Sequence, residues 1–130
     1  MPVMWHLDEH GRLHVAGTGR VTDAEYLEAH GGFIAATADH VGPRRSIADW
    51  AGVTDMQVTP NAIRTSVGIT GDSLRPVSPP PAPLDHRIAL VAVTPVVFGF
   101  CRMWQTLMSD VGVKCEIFAS RDEALAWLAG

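Results

Sequence analysis

The chain has 130 residues, nearly half of them apolar, and a formal net charge of −4. That length makes one domain over residues 1–130, with enough apolar surface for a core that needs no disulfide or metal staple. Lys114 is the single lysine and no basic run appears, which argues against nucleic acid as a partner, because a phosphate-backbone binder needs clustered cations.

No apolar stretch reaches the length of a membrane span. The N-terminus lacks a cationic region followed by an apolar one, so no signal peptide is expected. Cys101 and Cys115 sit in apolar surroundings and read as buried free thiols rather than a disulfide framework. These features point to a cytoplasmic protein. The preference for Arg over Lys, with much Ala and Gly, points to a bacterial source.

In chain order, Trp5 to Val15 predicts a β-hairpin. A three-residue loop of Glu9, His10 and Gly11, with Gly11 left-handed, sets Asp8 opposite Arg12, Leu7 opposite Leu13, His6 opposite His14 and Trp5 opposite Val15. Trp5, Leu7, Leu13 and Val15 then share one face, and His6, Asp8, Arg12 and His14 the other. Thr22 and Glu25 form a capping box and Val21 with Tyr26 a hydrophobic staple. They open a helix with Leu27, Ile34, Ala38 and Val41 on its stripe, weakened at Gly31–Gly32 and ended by Gly42–Pro43.

Ser46 to Trp50 predicts a short strand with Ala51 to Thr54 as its exit loop. Thr59–Pro60 starts a second helix, a poor one because Thr, Ser and Gly crowd it. Gly71 to Asp85 holds five prolines and reads as a loop. Arg87 to Thr94 is apolar on both parities, as a central parallel strand is. Thr94–Pro95 starts a third helix, with Val97, Cys101, Trp104, Met108 and Val111 on one side and Gly112 at its end. Val113 to Ile117 alternates like a strand. Ser120 and Glu123 make the box that opens a last helix through Leu128.

The fold class is therefore α/β: an N-terminal hairpin, then strand–helix units, giving a five-stranded mixed sheet. Right-handed crossovers place the helices on one face. The other face would then be open, which half of the apolar side chains of Ile88 to Val93 do not suit. An uncovered apolar strip implies a partner, a ligand or a dimer.

Gly71-Asp72-Ser73-Leu74 matches the signature of a family of serine esterases. Its serine needs a strand before it and an Asp-x-x-His pair after it, and neither is present, so the match is coincidental. His6 and His14 with Asp8 lack the further ligands a zinc site needs and read as a polar face. His30 and His40 suit the end of a helix dipole. Gly17-Thr-Gly19 reads as a turn between a strand and a cap, since the phosphate-binding pattern is incomplete at Thr22. Arg102, among Phe98, Phe100, Met103 and Trp104, reads as the polar edge of an amphipathic helix or an anchor for an anion. No cofactor and no metal is implied.

Gly19 to Tyr26, Arg87 to Val93, Phe98 to Trp104, and Glu116-Ile-Phe followed by Asp122 to Leu128 together resemble the STAS-like (SpoIIAA-like) superfamily, in its uncharacterised single-domain bacterial members. The resemblance implies a strand–helix superhelix over nearly the whole chain. Its best-known members switch partners through a phosphorylatable serine in an Asp-Ser-Ser-Gly loop. That loop falls on Gln57 to Pro60, where Val58 stands in the acceptor position, so the phosphoswitch is not carried over.

The expected function is a non-enzymatic binding or regulatory module acting by protein–protein contact. Its surface would be the loops after the strands (Thr54, Thr59, Asn61, Thr94), Arg102 or the open sheet face, with a homodimer expected. The alternative is a carrier of a small apolar or lipid-like ligand, held between the sheet and the second helix beneath Gly71 to Asp85.

Overall fold

The structure, a computed structural model, describes residues 2–39, 43–74 and 85–130. Nine elements follow in order: β1 (Val3–Leu7), β2 (Leu13–Thr22), α1 (Asp23–Ala36), β3 (Arg45–Gln57), α2 (Pro60–Leu74), β4 (Arg87–Val91), α3 (Pro95–Ser109), β5 (Lys114–Phe118) and α4 (Arg121–Ala129). The sheet keeps sequence order, β1-β2-β3-β4-β5, with β1 antiparallel to β2 and every other pair parallel.

The hairpin register is the one the face pattern requires: Trp5 pairs with Val15, His6 with His14 and Leu7 with Leu13. Gly11 takes φ +76° in the loop, and the Asp8 carboxylate accepts the His10 and Arg12 amides at 2.9 Å each. At α1, the Glu25 carboxylate accepts both the backbone N–H (3.2 Å) and the hydroxyl (2.8 Å) of Thr22. At α3, the Thr94 hydroxyl accepts from the Val97 amide, and Pro95 sits in the first turn. Gly112 has φ +75° just past that helix.

Several expectations are corrected. β3 is a long strand through Gln57, not a short one with an exit loop at Ala51 to Thr54, because β2 runs on beside it to the Thr22–Gln57 pair. Register shifts between Ala16 and Thr18 and between Gly19 and Arg20 let both strands twist together. Gly17 and Gly19 are therefore strand residues rather than a turn. A Cβ on Gly17 would lie 2.7 Å from Trp50 Cζ3 and 2.9 Å from Val53 Cγ2, so only glycine lets the indole lie on β2.

α1 ends at Ala36, before Ala38. Thr37 stops it by turning its hydroxyl back onto the Phe33 and Ile34 carbonyls. Val41, Gly42 and His40 lie outside the described residues, as do residues 75–84 of the proline-rich stretch. Residues 71–74 belong to the last turn of α2, not to a loop.

A further correction concerns the sheet face expected to be open. α1, α2 and α3 pack on one face, around Val15, Trp50, Leu90, Ile63 and Trp104. α4 packs on the other, where Ala124 and Leu128 meet Ile47, Ala89 and Val91. Among the described residues α4 does not link two parallel strands, so the crossover rule does not set its face. It covers the strip that β4's double apolar parity demands covered. Both ends of α4 are tied: Arg121 reaches Asp49 at 3.6 Å, and Arg87 and Arg45 donate to the Trp127 and Leu128 carbonyls at 3.1 and 3.5 Å. Cations suit a helix C-terminus. Arg45, Arg87 and Lys114 are in register across three strands and share Asp85, whose carboxyl is held below its ordinary pKa chiefly by Arg87.

Candidate functional site

A cavity of about 70 Å³ lies between the sheet and α1 to α3. Its floor is one parity of the strands: Val3 from β1, Leu13 and Val15 from β2, Ala48 and Trp50 from β3, Ile88 and Leu90 from β4. Its roof is Tyr26, His30, Phe33 and Ile34 of α1 with Thr70, Ser73 and Leu74 of α2. Phe100 and Trp104 of α3 and Ile47 of β3 also line it, and Arg44, Ser46, Thr37 and His86 add polar groups. The strand alternation that makes a core face also makes this floor.

The two helices of the roof are joined by hydrogen bonds between buried side chains. Tyr26 Oη lies 2.6 Å from Ser66 Oγ. Ser66 gives its own proton to the Ile63 carbonyl at 2.8 Å, so Tyr26 is the donor between them. Trp104 Nε1 donates to Tyr26 Oη at 3.0 Å. One turn along, His30 Nε2 and Thr70 Oγ1 share a hydrogen bond of 2.7 Å. Tyr26 and His30 are i, i+4 on α1; Ser66 and Thr70 are i, i+4 on α2. Two such ladders meeting face to face hold a helix that composition marks as weak.

Burial sets the chemistry of these groups. It pushes the Tyr26 phenol up to about 12 and the His30 imidazole down to about 4. Both are neutral near pH 7, and neither has the near-neutral pKa that suits a general acid or base. His30 is thus a buried member of α1, 3% exposed, not a dipole-capping residue. Burial also raises the Cys101 and Cys115 thiols to about 12, where little thiolate forms; both cysteines are free and buried as expected. Ser73 donates to the Thr70 carbonyl at 2.8 Å, within its own helix. The Trp50 indole N–H is buried and has no hydrogen-bond partner among the described residues.

The five residues proposed from sequence lie elsewhere. Thr54 is an exposed residue of β3. Thr59 stands just before α2, where its N–H and hydroxyl donate to Asp23 at 2.6 and 2.7 Å. Asn61 accepts from Arg64 at 3.4 Å. Thr94 caps α3, and the exposed Arg102 reaches Gln105 at 3.3 Å. None lines the cavity, and no described hydrogen bond joins one of them to another. Val58 is half-buried against the core.

On the opposite face the histidines form a network rather than a plain polar surface. His6 and His14 stack with ring centres 4.8 Å apart. His14 Nδ1 lies 2.9 Å from Arg121, which can only donate. Nε2 therefore carries the proton and gives it to Asp8 at 3.0 Å. That bond, more than any other, holds the Asp8 carboxyl down at about 2. Among the described residues no three His, Cys, Asp or Glu side chains are arranged to hold a metal ion.

No family model matches the chain, and no curated protein matches it. A solved structure does, over 97% of this chain and 91% of its own, with a TM-score of 0.60 and 14% identity. It is an uncharacterized protein of the DUF3478 family from Shewanella loihica, described as having a SpoIIAA-like fold. The fold is SpoIIAA-like. At that identity the likeness concerns the backbone alone and carries no site residue across. Signals for the cavity were present in sequence, in the paired i, i+4 spacings of Tyr26–His30 and Ser66–Thr70. They were obscured because Ser and Thr read as helix weakeners when their partner lies forty residues away.

Proposed function

We propose that this protein is a non-enzymatic binder of a small, largely apolar ligand, held in the cavity between the sheet and α1 to α3. The observation that supports the reading is the cavity itself: an apolar floor, a roof of neutral groups and a polar set at Arg44, Thr37, Ser46 and His86. Trp50, another lining residue, has a buried indole N–H with no hydrogen-bond partner among the described residues. A volume of about 70 Å³ is about half that of an engineered cavity that admits benzene. The ligand is therefore small, or it displaces the half-buried Ile34 and Leu74 as it enters.

A second reading keeps protein contact as the role. Val93, Val96 and Phe98 are 57%, 66% and 47% exposed around the Thr94 cap. They offer an apolar patch where β4 passes into α3, and homodimerisation would be its simplest use. The strip that first suggested a dimer is covered by α4 and lends that idea nothing.

Native mass spectrometry of protein purified without denaturation separates the two. The ligand reading predicts a monomer carrying extra mass above the 14.0 kDa chain. A dimer of bare chains would favour the contact reading, and a bare monomer would count against both a retained ligand and a stable dimer.

A further inference from the structure

Arg44 lines the cavity and has no counterion among the described residues. Its Nη1 donates to Thr37 Oγ1 at 2.9 Å and its Nη2 to the Thr37 carbonyl at 2.8 Å. Both acceptors are neutral, and they close the C-terminus of α1. A guanidinium has five N–H donors in a rigid fork, and two of them make the described bonds to Thr37. Arg45, Arg87 and Arg121 each have an aspartate within 4 Å. No described carboxylate pairs with Arg44, and loss of water, rather than a neighbouring charge, draws its pKa below the ordinary value.

The residue is also held in place. Its backbone N–H donates to His86 Nδ1 at 2.9 Å, which ties the start of β3 to the approach to β4. Ser46 and Ser73 stand in the same lining. A half-buried cation beside an apolar cavity is stabilised by a planar anion that brings hydrocarbon with it, and arginine suits a carboxylate better than lysine does.

Building on the ligand reading above, we propose that Arg44 anchors the carboxylate of a small apolar acid whose hydrocarbon part fills the cavity. The cavity volume limits that part to a short or branched chain of a few carbons.

The test uses 3-methylbutanoate and its neutral isostere 3-methylbutanamide, titrated at pH 7 and constant ionic strength into the full chain. Binding is read from the methyl resonances of Leu13, Val15 and Ile88. The acid is expected to bind about ten-fold more tightly than the amide. Arg44→Gln should reduce acid binding to the level of the amide, and Arg44→Lys should retain part of the preference. Equal binding of acid and amide by the unaltered protein would overturn the Arg44 assignment and leave the cavity reading standing. If neither compound moves those methyls, both inferences fall. The acid–amide comparison in the unaltered chain needs no variant, so poor folding of Arg44→Gln would not rescue the proposal.

Discussion

At the scale of single residues, the buried polar groups of the roof decide how the protein responds to pH and to mutation. His30 has a folded pKa of about 4 against an ordinary 6.5, so the unfolded chain takes up the proton first. Its contribution is whole above about pH 6.5 and drains away as the pH falls toward 4. Between pH 7 and pH 5 the loss comes to about 2 kcal/mol. Urea denaturation at the two pH values should show it, and His30→Gln, which cannot titrate, should remove that part of the difference. Tyr26→Phe removes the proton donated to Ser66 and the acceptor of Trp104. It should cost about 1–3 kcal/mol in the same measurement. Neither role was legible in the sequence. A lone histidine in a helix does not announce that a threonine forty positions on will meet it.

At the scale of elements, much was legible because the signals are local. The hairpin register followed from alternation and a left-handed glycine, and the starts of α1, α3 and α4 from their caps. β3 was misjudged because its length depends on β2, a neighbour along which Gly17 and Gly19 looked like punctuation. The close packing of Trp50 on Gly17 explains why that glycine sits inside a strand. Gly17→Ala should destabilise by about 1–3 kcal/mol through overpacking, with a change in tryptophan emission as Trp50 is displaced. The extent of α2 was missed for a related reason. Ser66 and Thr70 discourage a helix in isolation, and here their hydroxyls are engaged across the α1–α2 contact.

At the scale of the whole molecule, the mixed sheet was legible and the placement of α4 was not. Handedness rules govern helices between parallel strands, and among the described residues α4 is not such a helix. Yet β4 had already signalled the answer: Ala89 and Val91 needed cover that α1 to α3 could not provide. Leu128→Ala should therefore behave as a core deletion, costing about 2–5 kcal/mol by urea denaturation, although Leu128 stands two residues before the last residue of the sequence given. With both faces of the sheet accounted for, the cavity beneath α1 and α2 becomes the place where a small molecule would fit. Xenon tests that most directly, since a dry apolar cavity takes it up. Under xenon pressure the account predicts methyl shifts at Val15, Ile34, Leu74, Ile88 and Leu90, around the cavity wall. Shifts confined to Val93 and Val96 on the surface, or none at all, would contradict it.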